Sequence, residues 1–424
     1  MKAYKQRVSD VVLTYKLECK GAVLIEGAKW CGKTTSARQY SKSVLNLGDT
    51  TEYERAKEMM SINSSLLLDG DAPRLIDEWQ TLPGLWDSVR SEVDKRGECG
   101  QFILTGSSVP PDISQMRHSG VGRISILRMR PMSLFESGEG NGVVSLADLF
   151  DGQSIESMHA EMTLDQIAYL ICRGGWPQAT FQSGRVALGH ARDYFDVVTE
   201  FDIQQIDEVR RNPDRAKAIM RSYARHIGYQ TPLSTVRADI LQNECMSISD
   251  DTIADYINTM SKMFVIEDMP SWNPNLRSKA AIRQSNCRYF VDPSIAAAAL
   301  GAGPGDLIKD LKAMGMFFEN MVVRDLRVYA EAIDGNVFHF RDSNGLECDA
   351  VIHLRDGRYG LVEAKLGGMG KIEEGAASLL KLYDTLDFTR MRKPSFMMVV
   401  VGVGQFAYRR KDGVLVVPLA CLKQ

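Results

Sequence analysis

Apolar and polar positions alternate in two rhythms over residues 21–110. Short apolar runs at Val23-Leu24-Ile25, Leu66-Leu67-Leu68, Leu75-Ile76 and Phe102-Ile103-Leu104 read as strands, with helical spacing between them. That alternation predicts a parallel α/β sheet. Residues 136–160, rich in Gly, Ser and Glu and opening with ESGEGNG, read as a boundary. Helical periodicity then dominates from Thr163 to Met263. Arg215 to Ile227 turns Ile219, Met220, Tyr223 and Ile227 inward. Leu233 to Leu241 forms a second helix with Ser234 as its cap. Ser249-Asp250-Asp251 opens a third, with Ile253, Tyr256, Ile257 and Met260 inward. Phe264-Val265-Ile266 and Tyr289-Phe290-Val291 follow as two strands. From about Gly315 the pattern becomes a helix, strands, a helix and more strands, a second α/β or α+β unit. The expected divisions are 1–140, 141–214, 215–304 and 305–424.

Composition alters this picture little. At 424 residues and 44% hydrophobic, the chain has apolar material for several cores. Its formal net charge of -3 argues against nucleic-acid binding by bulk charge and leaves only local patches to consider. The eight cysteines form no Cys-x-x-Cys pair and no zinc-ligand spacing, so they read as thiols of a reducing compartment. The start, MKAYKQRVSD, lacks the apolar centre of a signal peptide, and the apolar stretch around Met397 to Gly404 is too short to span a bilayer. A cytoplasmic protein without a membrane span is expected.

The sharpest chemical signal is Gly27-Ala28-Lys29-Trp30-Cys31-Gly32-Lys33-Thr34, a G-x-x-x-x-G-K-T loop between a strand and a helix, with Thr35 following. Its glycines let backbone N–H groups turn toward an anion, and the helix that follows points its positive end at the same place. Lys33 would reach the β- and γ-phosphates of a nucleotide, and the Thr34 hydroxyl would ligate Mg²⁺. Leu75-Ile76-Asp77-Glu78 is an apolar strand ending in two carboxylates. Asp77 would hold the Mg²⁺ shell, and Glu78 would polarise the attacking water. Phe102 to Ser108 is a strand ending in hydroxyls, where Thr105 is placed to sense the γ-phosphate.

The order of these motifs resembles the AAA-type ATPase domain of a large bacterial and archaeal family whose members join it to a C-terminal half long labelled a domain of unknown function. The resemblance rests on GAKWCGKT, LIDEWQ, FILTGSS and GRISILRMRPMSLFE. It continues through RGGWPQA, DDTIADYINTMSKMFVI, FFENMVVRDL, ECDAVI and LVEAKLG, nearly the whole chain. It implies ATP as the nucleotide, in keeping with the lack of an Asn/Thr-Lys-x-Asp guanine-reading motif. It also implies a homo-oligomer, and a contact of Arg123, in the Gly122-Arg123 step, with the γ-phosphate of its own or a neighbouring subunit.

Residues 215–300 resemble a winged helix-turn-helix, with WNPNLRSKAAIRQ as the wing. Its third helix is acidic (Asp250, Asp251, Asp255). Arg211, Arg215, Lys217, Arg221 and Arg225 lie on and before its first helix, as a DNA-facing row or as a solvated face. In the last third, Glu319 sits early in a helix, Asp349 follows on a strand, and Glu363-Ala364-Lys365 lies on the next. Period-2 alternation points Glu363 and Lys365 the same way, and a hairpin would set Asp349 beside Glu363. Asp349, Glu363 and Glu319 would ligate Mg²⁺ and Lys365 would steady the attacking water. The pattern resembles the PD-(D/E)xK nuclease superfamily, with Cys348 where the motif name has proline. The tail after Lys365 carries nine Lys or Arg against five Asp or Glu, which suits a phosphate backbone. Two functions follow: a nucleotide-controlled DNA-processing enzyme, or a switch ATPase whose C-terminal half binds a protein partner.

Overall fold

The computed structural model describes residues 3–108, 120–155, 158–159, 162–204, 206, 209–273, 285–342 and 345–424. The N-terminal sheet contains β1 (Ala22–Glu26), β2 (Ser43–Asn46), β3 (Arg74–Asp77), β4 (Phe102–Gly106) and β5 (Ile124–Arg128). Its order is β2-β3-β4-β1-β5 and every pairing is parallel. The central strands β1 and β4 are buried on both faces, which explains their near-continuous apolar runs. Two corrections apply here. Leu66-Leu67-Leu68 is not a strand: Ser64–Leu67 forms a 3₁₀ turn. The strand beside β3 is the more polar β2, at the sheet edge.

The presumed boundary is stitched to the far end of the chain. β6 (Val144–Ser145) runs parallel to β14 (Leu422–Lys423), and β7 (Met158–His159) pairs with β12 (Phe406–Arg409). β12 belongs to a seven-stranded sheet that also holds β8 (Gly335–Arg341), β9 (Glu347–Leu354), β10 (Tyr359–Lys365), β11 (Phe396–Val401) and β13 (Leu415–Pro418), in the order β7-β12-β13-β11-β10-β9-β8.

Between the sheets lie helices Leu164–Arg173, Gly184–Glu200, Pro213–Arg225, Leu233–Glu244 and Asp250–Lys262. The inward positions read from their periodicity, Ile219, Tyr223, Ile253 and Met260 among them, are buried. Ser234 lies inside its helix, whose cap position is Pro232. In place of two wing strands there are isolated bridges, Ile266 to Phe290 and Met269 to Cys287. Residues 274–284 of the expected wing lie outside the described residues. Trp272, at the wing's start, packs into the C-terminal sheet against Tyr359, with ring centres 4.9 Å apart. Its backbone N–H donates to His339 O on β8. One apolar core runs through the helical region and one face of the C-terminal sheet, so these parts share a single interior.

Candidate functional sites

The G-x-x-x-x-G-K-T loop leaves β1 and enters helix Lys33–Tyr40. Gly27 and Gly32 have φ of +152° and +105°, and a Cβ on Gly27 would come within 2.0 Å of Met129 O. Glycine is therefore required there both by conformation and by space. Lys33 Nζ donates to the Gly27 and Ala28 carbonyls at 2.9 and 2.8 Å. The Thr34 hydroxyl donates to Asp77 Oδ1 at 2.7 Å, which brings together two hard oxygen ligands at the end of β3. Such a pair suits a Mg²⁺ that keeps waters and phosphate oxygens as its remaining ligands.

Thr105 does not face this opening. It is fully buried near the end of β4, where its hydroxyl donates to Asp77 Oδ1 at 2.5 Å. Two residues that the sequence reading missed stand in its place. Gln80 donates to Glu78 Oε2 at 2.5 Å, and Ser107 donates to the same oxygen at 3.3 Å. Glu78 is in the left-handed region, with φ of +58°, a conformation that non-glycine residues adopt where the surroundings hold them. Lys29, Trp30, Thr35, Glu78, Gln80 and Ser107 line one cavity of about 890 Å³.

Arg123 is at the wrong end of the sheet for a contact within its own subunit. Ala22 pairs with Ile124 and Glu26 with Arg128, so Arg123 precedes the start of β5 while the phosphate loop follows the end of β1. The separation is about 20 Å along the strands. Arg123 instead pairs with Asp94 at 2.7 Å.

In the C-terminal sheet, β9 and β10 are antiparallel in the register that brings Asp349 and Glu363 together. Lys365 Nζ lies 3.3 Å from Asp349 Oδ2 and 2.6 Å from Glu363 Oε2, and Ala364 N donates to Asp349 at 2.8 Å. Glu319, on helix Leu311–Ala332, accepts from the Tyr289 hydroxyl. Burial and the Asp349 charge push its carboxyl up to about 8. The same two causes push Glu363 well above the usual carboxylate range. Burial would lower Lys365, but Asp349 and Glu363 hold it above the ordinary lysine value. Among the described residues, no group of three or more His, Cys, Asp or Glu side chains is arranged to hold a metal ion. Of the three expected metal ligands, Asp349 and Glu363 are bridged by the Lys365 ammonium, and Glu319 is engaged by the Tyr289 hydroxyl.

Four of the five side chains of the basic row in the helical region are held in ion pairs. Arg211 pairs with Asp255, Lys217 with Glu200, Arg221 with Glu244 and Arg225 with Asp239.

Residues 20–137 match a family described as an AAA domain. This match supports a P-loop, AAA-type ATPase at that end of the chain. Residues 164–306 and 314–422 match two families described as domains of unknown function, DUF8612 and DUF4143. Uncharacterized proteins of Mycobacterium bovis and Mycobacterium tuberculosis are each 22% identical over 399 residues, covering 93% of this chain and 79% of theirs. Among solved structures, a Walker-type ATPase of Pyrococcus abyssi aligns with a TM-score of 0.43 at 15% identity, over 70% of this chain and 96% of that one. A signal transduction ATPase with a tetratricopeptide repeat sensor from Pyrococcus horikoshii aligns with a TM-score of 0.25 at 13% identity, over 79% of this chain and 50% of that one.

Buried ion pairs tie the AAA domain to the rest. Arg7 donates to Cys31 O in the phosphate loop, to Arg130 O and to Glu136. Arg130 reaches Glu267 at 2.7 Å and Glu331 at 2.8 Å, and Leu134 N donates to Asp325. Glu331 and Asp325 sit on the helix that also carries Glu319. One helix thus meets the AAA domain at one end and the carboxylate–lysine cluster at the other. Among the described residues no helix is long and apolar enough to cross a membrane, and all eight cysteines are free.

Proposed function

We propose that this protein is a Mg²⁺-dependent ATP hydrolase whose nucleotide state controls its C-terminal half. The observation that carries the proposal is the contact of Thr34 with Asp77, beside a Glu78 fixed by Gln80 and Ser107. In this reading the loop N–H groups and Lys33 bind the phosphates, Thr34 and Asp77 supply protein ligands to Mg²⁺, and Glu78 orients the attacking water. The path from Arg7 through Arg130 to Glu331 supports a link between loop and C-terminal half. ATP turnover by wild type, Lys33→Ala and Glu78→Gln proteins tests it. Undiminished turnover in both variants would refute it.

For the C-terminal half, the approach of Asp349, Glu363 and Lys365, with Glu319 behind, supports a nuclease-like domain acting on DNA. A second reading is favoured by the bridging of both carboxylates by Lys365 and by the ion pairs that hold Arg211, Lys217, Arg221 and Arg225 of the basic row: a switch ATPase whose C-terminal half is a catalytically inactive platform for a partner. DNA of several topologies, incubated with Mg²⁺ or Mn²⁺, with and without ATP, separates the two. Cutting that Asp349→Ala abolishes supports the nuclease. ATP hydrolysis with no cutting under any condition supports the platform. The domain limits 1–140, 141–214, 215–304 and 305–424, a homo-oligomer and a cytoplasmic location belong to the same proposal. Sedimentation with and without a non-hydrolysable ATP analogue tests the oligomer, and with it any role of Arg123 across subunits.

A further inference from the structure

The cavity beside the phosphate loop has a wall that does not come from the AAA domain. Trp176, Pro177, His190, Tyr194, Val198 and Ile206 face it from the helical region. On the loop side the unusual residue is Trp30. Its backbone is left-handed at φ +64°, which a non-glycine residue adopts only when held there. Its indole is nonetheless 53% exposed, although tryptophan is among the residues most buried on average. What fixes the ring is a stack from the helical region. Tyr194 meets Trp30 edge-on at 5.9 Å, and Trp176 lies against Tyr194 at 4.3 Å. Lys29, the preceding residue, is tied to Asp202 at 2.7 Å, which joins loop and wall a second time. A rigid aromatic surface, open to a cavity and within four residues of Lys33, suits a flat aromatic group attached to a phosphate chain.

We infer that Trp30 and the wall built on helix Gly184–Glu200 form the nucleobase subsite, with the indole as the stacking platform for a purine. The helical region then completes the nucleotide site. The inference rests on reading Gly27 to Thr34 as a nucleotide loop. Base–aromatic stacking grows with ring area and tolerates base identity, so Trp30 favours a purine over a pyrimidine and leaves adenine and guanine to other groups.

The test measures binding of ATP, CTP and inorganic tripolyphosphate, each with Mg²⁺, to full-length wild type, Trp30→Ala, Trp30→Leu, Trp30→Phe and Lys33→Ala proteins by calorimetry. Trp30→Ala should weaken ATP roughly tenfold, as expected for a lost stacking contact, and leave tripolyphosphate within about twofold. Trp30→Phe should recover most of the loss. Trp30→Leu keeps bulk without an aromatic face and should behave like the alanine protein, so it carries the test if that protein fails to fold. Equal weakening of ATP and tripolyphosphate would overturn the subsite, because the side chain would then only shape the loop. Unchanged ATP affinity in Trp30→Ala and Trp30→Leu would overturn it too, while loss of both ligands in Lys33→Ala would keep the nucleotide loop standing. A wild type that binds neither ATP nor tripolyphosphate would sink the loop reading itself.

Discussion

Lys33 and Lys365 use their charge in opposite ways. Lys33 donates to two carbonyls of its own loop, while the nearby Asp77 and Glu78 are satisfied by hydroxyls and a carboxamide. Neutral dipoles hold that site together, so its ammonium charge is not cancelled by a carboxylate bond and is available to an arriving anion. Lys365 instead binds Asp349 and Glu363 directly and closes the C-terminal cluster on itself. The first arrangement is built to exchange a ligand. The second is built to be stable until something displaces the lysine.

The largest effect that would break this comparison lies in catalysis. Glu78→Gln is expected to keep ATP binding and lose turnover by about 10²–10⁴-fold, the range for removing a positioned base. Asp349→Asn should leave ATP turnover within about twofold of wild type, a range well inside ordinary mutational scatter. A steady-state phosphate-release assay reads both, and a large loss in Asp349→Asn would mean the two clusters act as one site.

Stability sharpens the contrast next. Lys365→Ala strands two carboxylates around a mostly buried position and should cost about 3–5 kcal/mol, the usual penalty for removing one partner of a buried ion pair. Lys33→Ala removes hydrogen bonds to carbonyls but no ion pair, and should cost about 1–2 kcal/mol. Urea midpoints compare the two, and equal losses would erase the distinction.

Titration gives a smaller, directional effect. The Glu319 carboxyl is held at about 8 when folded, against an ordinary 4.5. Between those values the folded protein keeps a proton that the unfolded chain has released, so stability falls as pH rises through the window. One such proton sets a slope of at most about 1.4 kcal/mol per pH unit. Glu319→Gln should remove that slope in thermal melts from pH 5 to 8. An unchanged slope would show that Glu319 ionises normally.

What was readable in the sequence was what sits in contiguous words. Gly27 to Thr34, Asp77 and Glu78 each follow an apolar strand directly, and the structure brings them into one neighbourhood. Asp349, Glu363 and Lys365 were readable as neighbours because a hairpin and period-2 alternation fix their register. Thr105 was not, because the end of a strand does not reveal whether its last side chain faces the opening or the next strand. Arg123 was carried by motif order, which gives position along the chain but not the end of the sheet. Leu66-Leu67-Leu68 failed because three apolar residues fit a 3₁₀ turn as well as a strand. Tyr194 and Asp202 reach the loop only through contacts across more than a hundred residues, which nothing in their local sequence marks, whereas Gln80 and Ser107 lie within the quoted motifs LIDEWQ and FILTGSS and only their shared contact with Glu78 was hidden.

The smallest expected effect concerns the basic row, and it bears on which reading of the C-terminal half survives. Lys217, Arg221 and Arg225 already face Glu200, Glu244 and Asp239 across partly exposed pairs. Exposed pairs of this kind contribute about 0–1 kcal/mol, so Arg221→Ala should barely move a melting curve. A side chain that neutralises a DNA phosphate releases counterions, and losing it lowers the salt dependence of binding by about 0.9 in the slope of log K against log salt. With their charges answered by carboxylates, Lys217→Ala and Arg221→Ala should leave that slope unchanged for any DNA the protein retains. A drop of about one unit in either variant would mean that these pairs open onto a phosphate backbone, and the helical region would then have to be counted as a DNA-contacting surface.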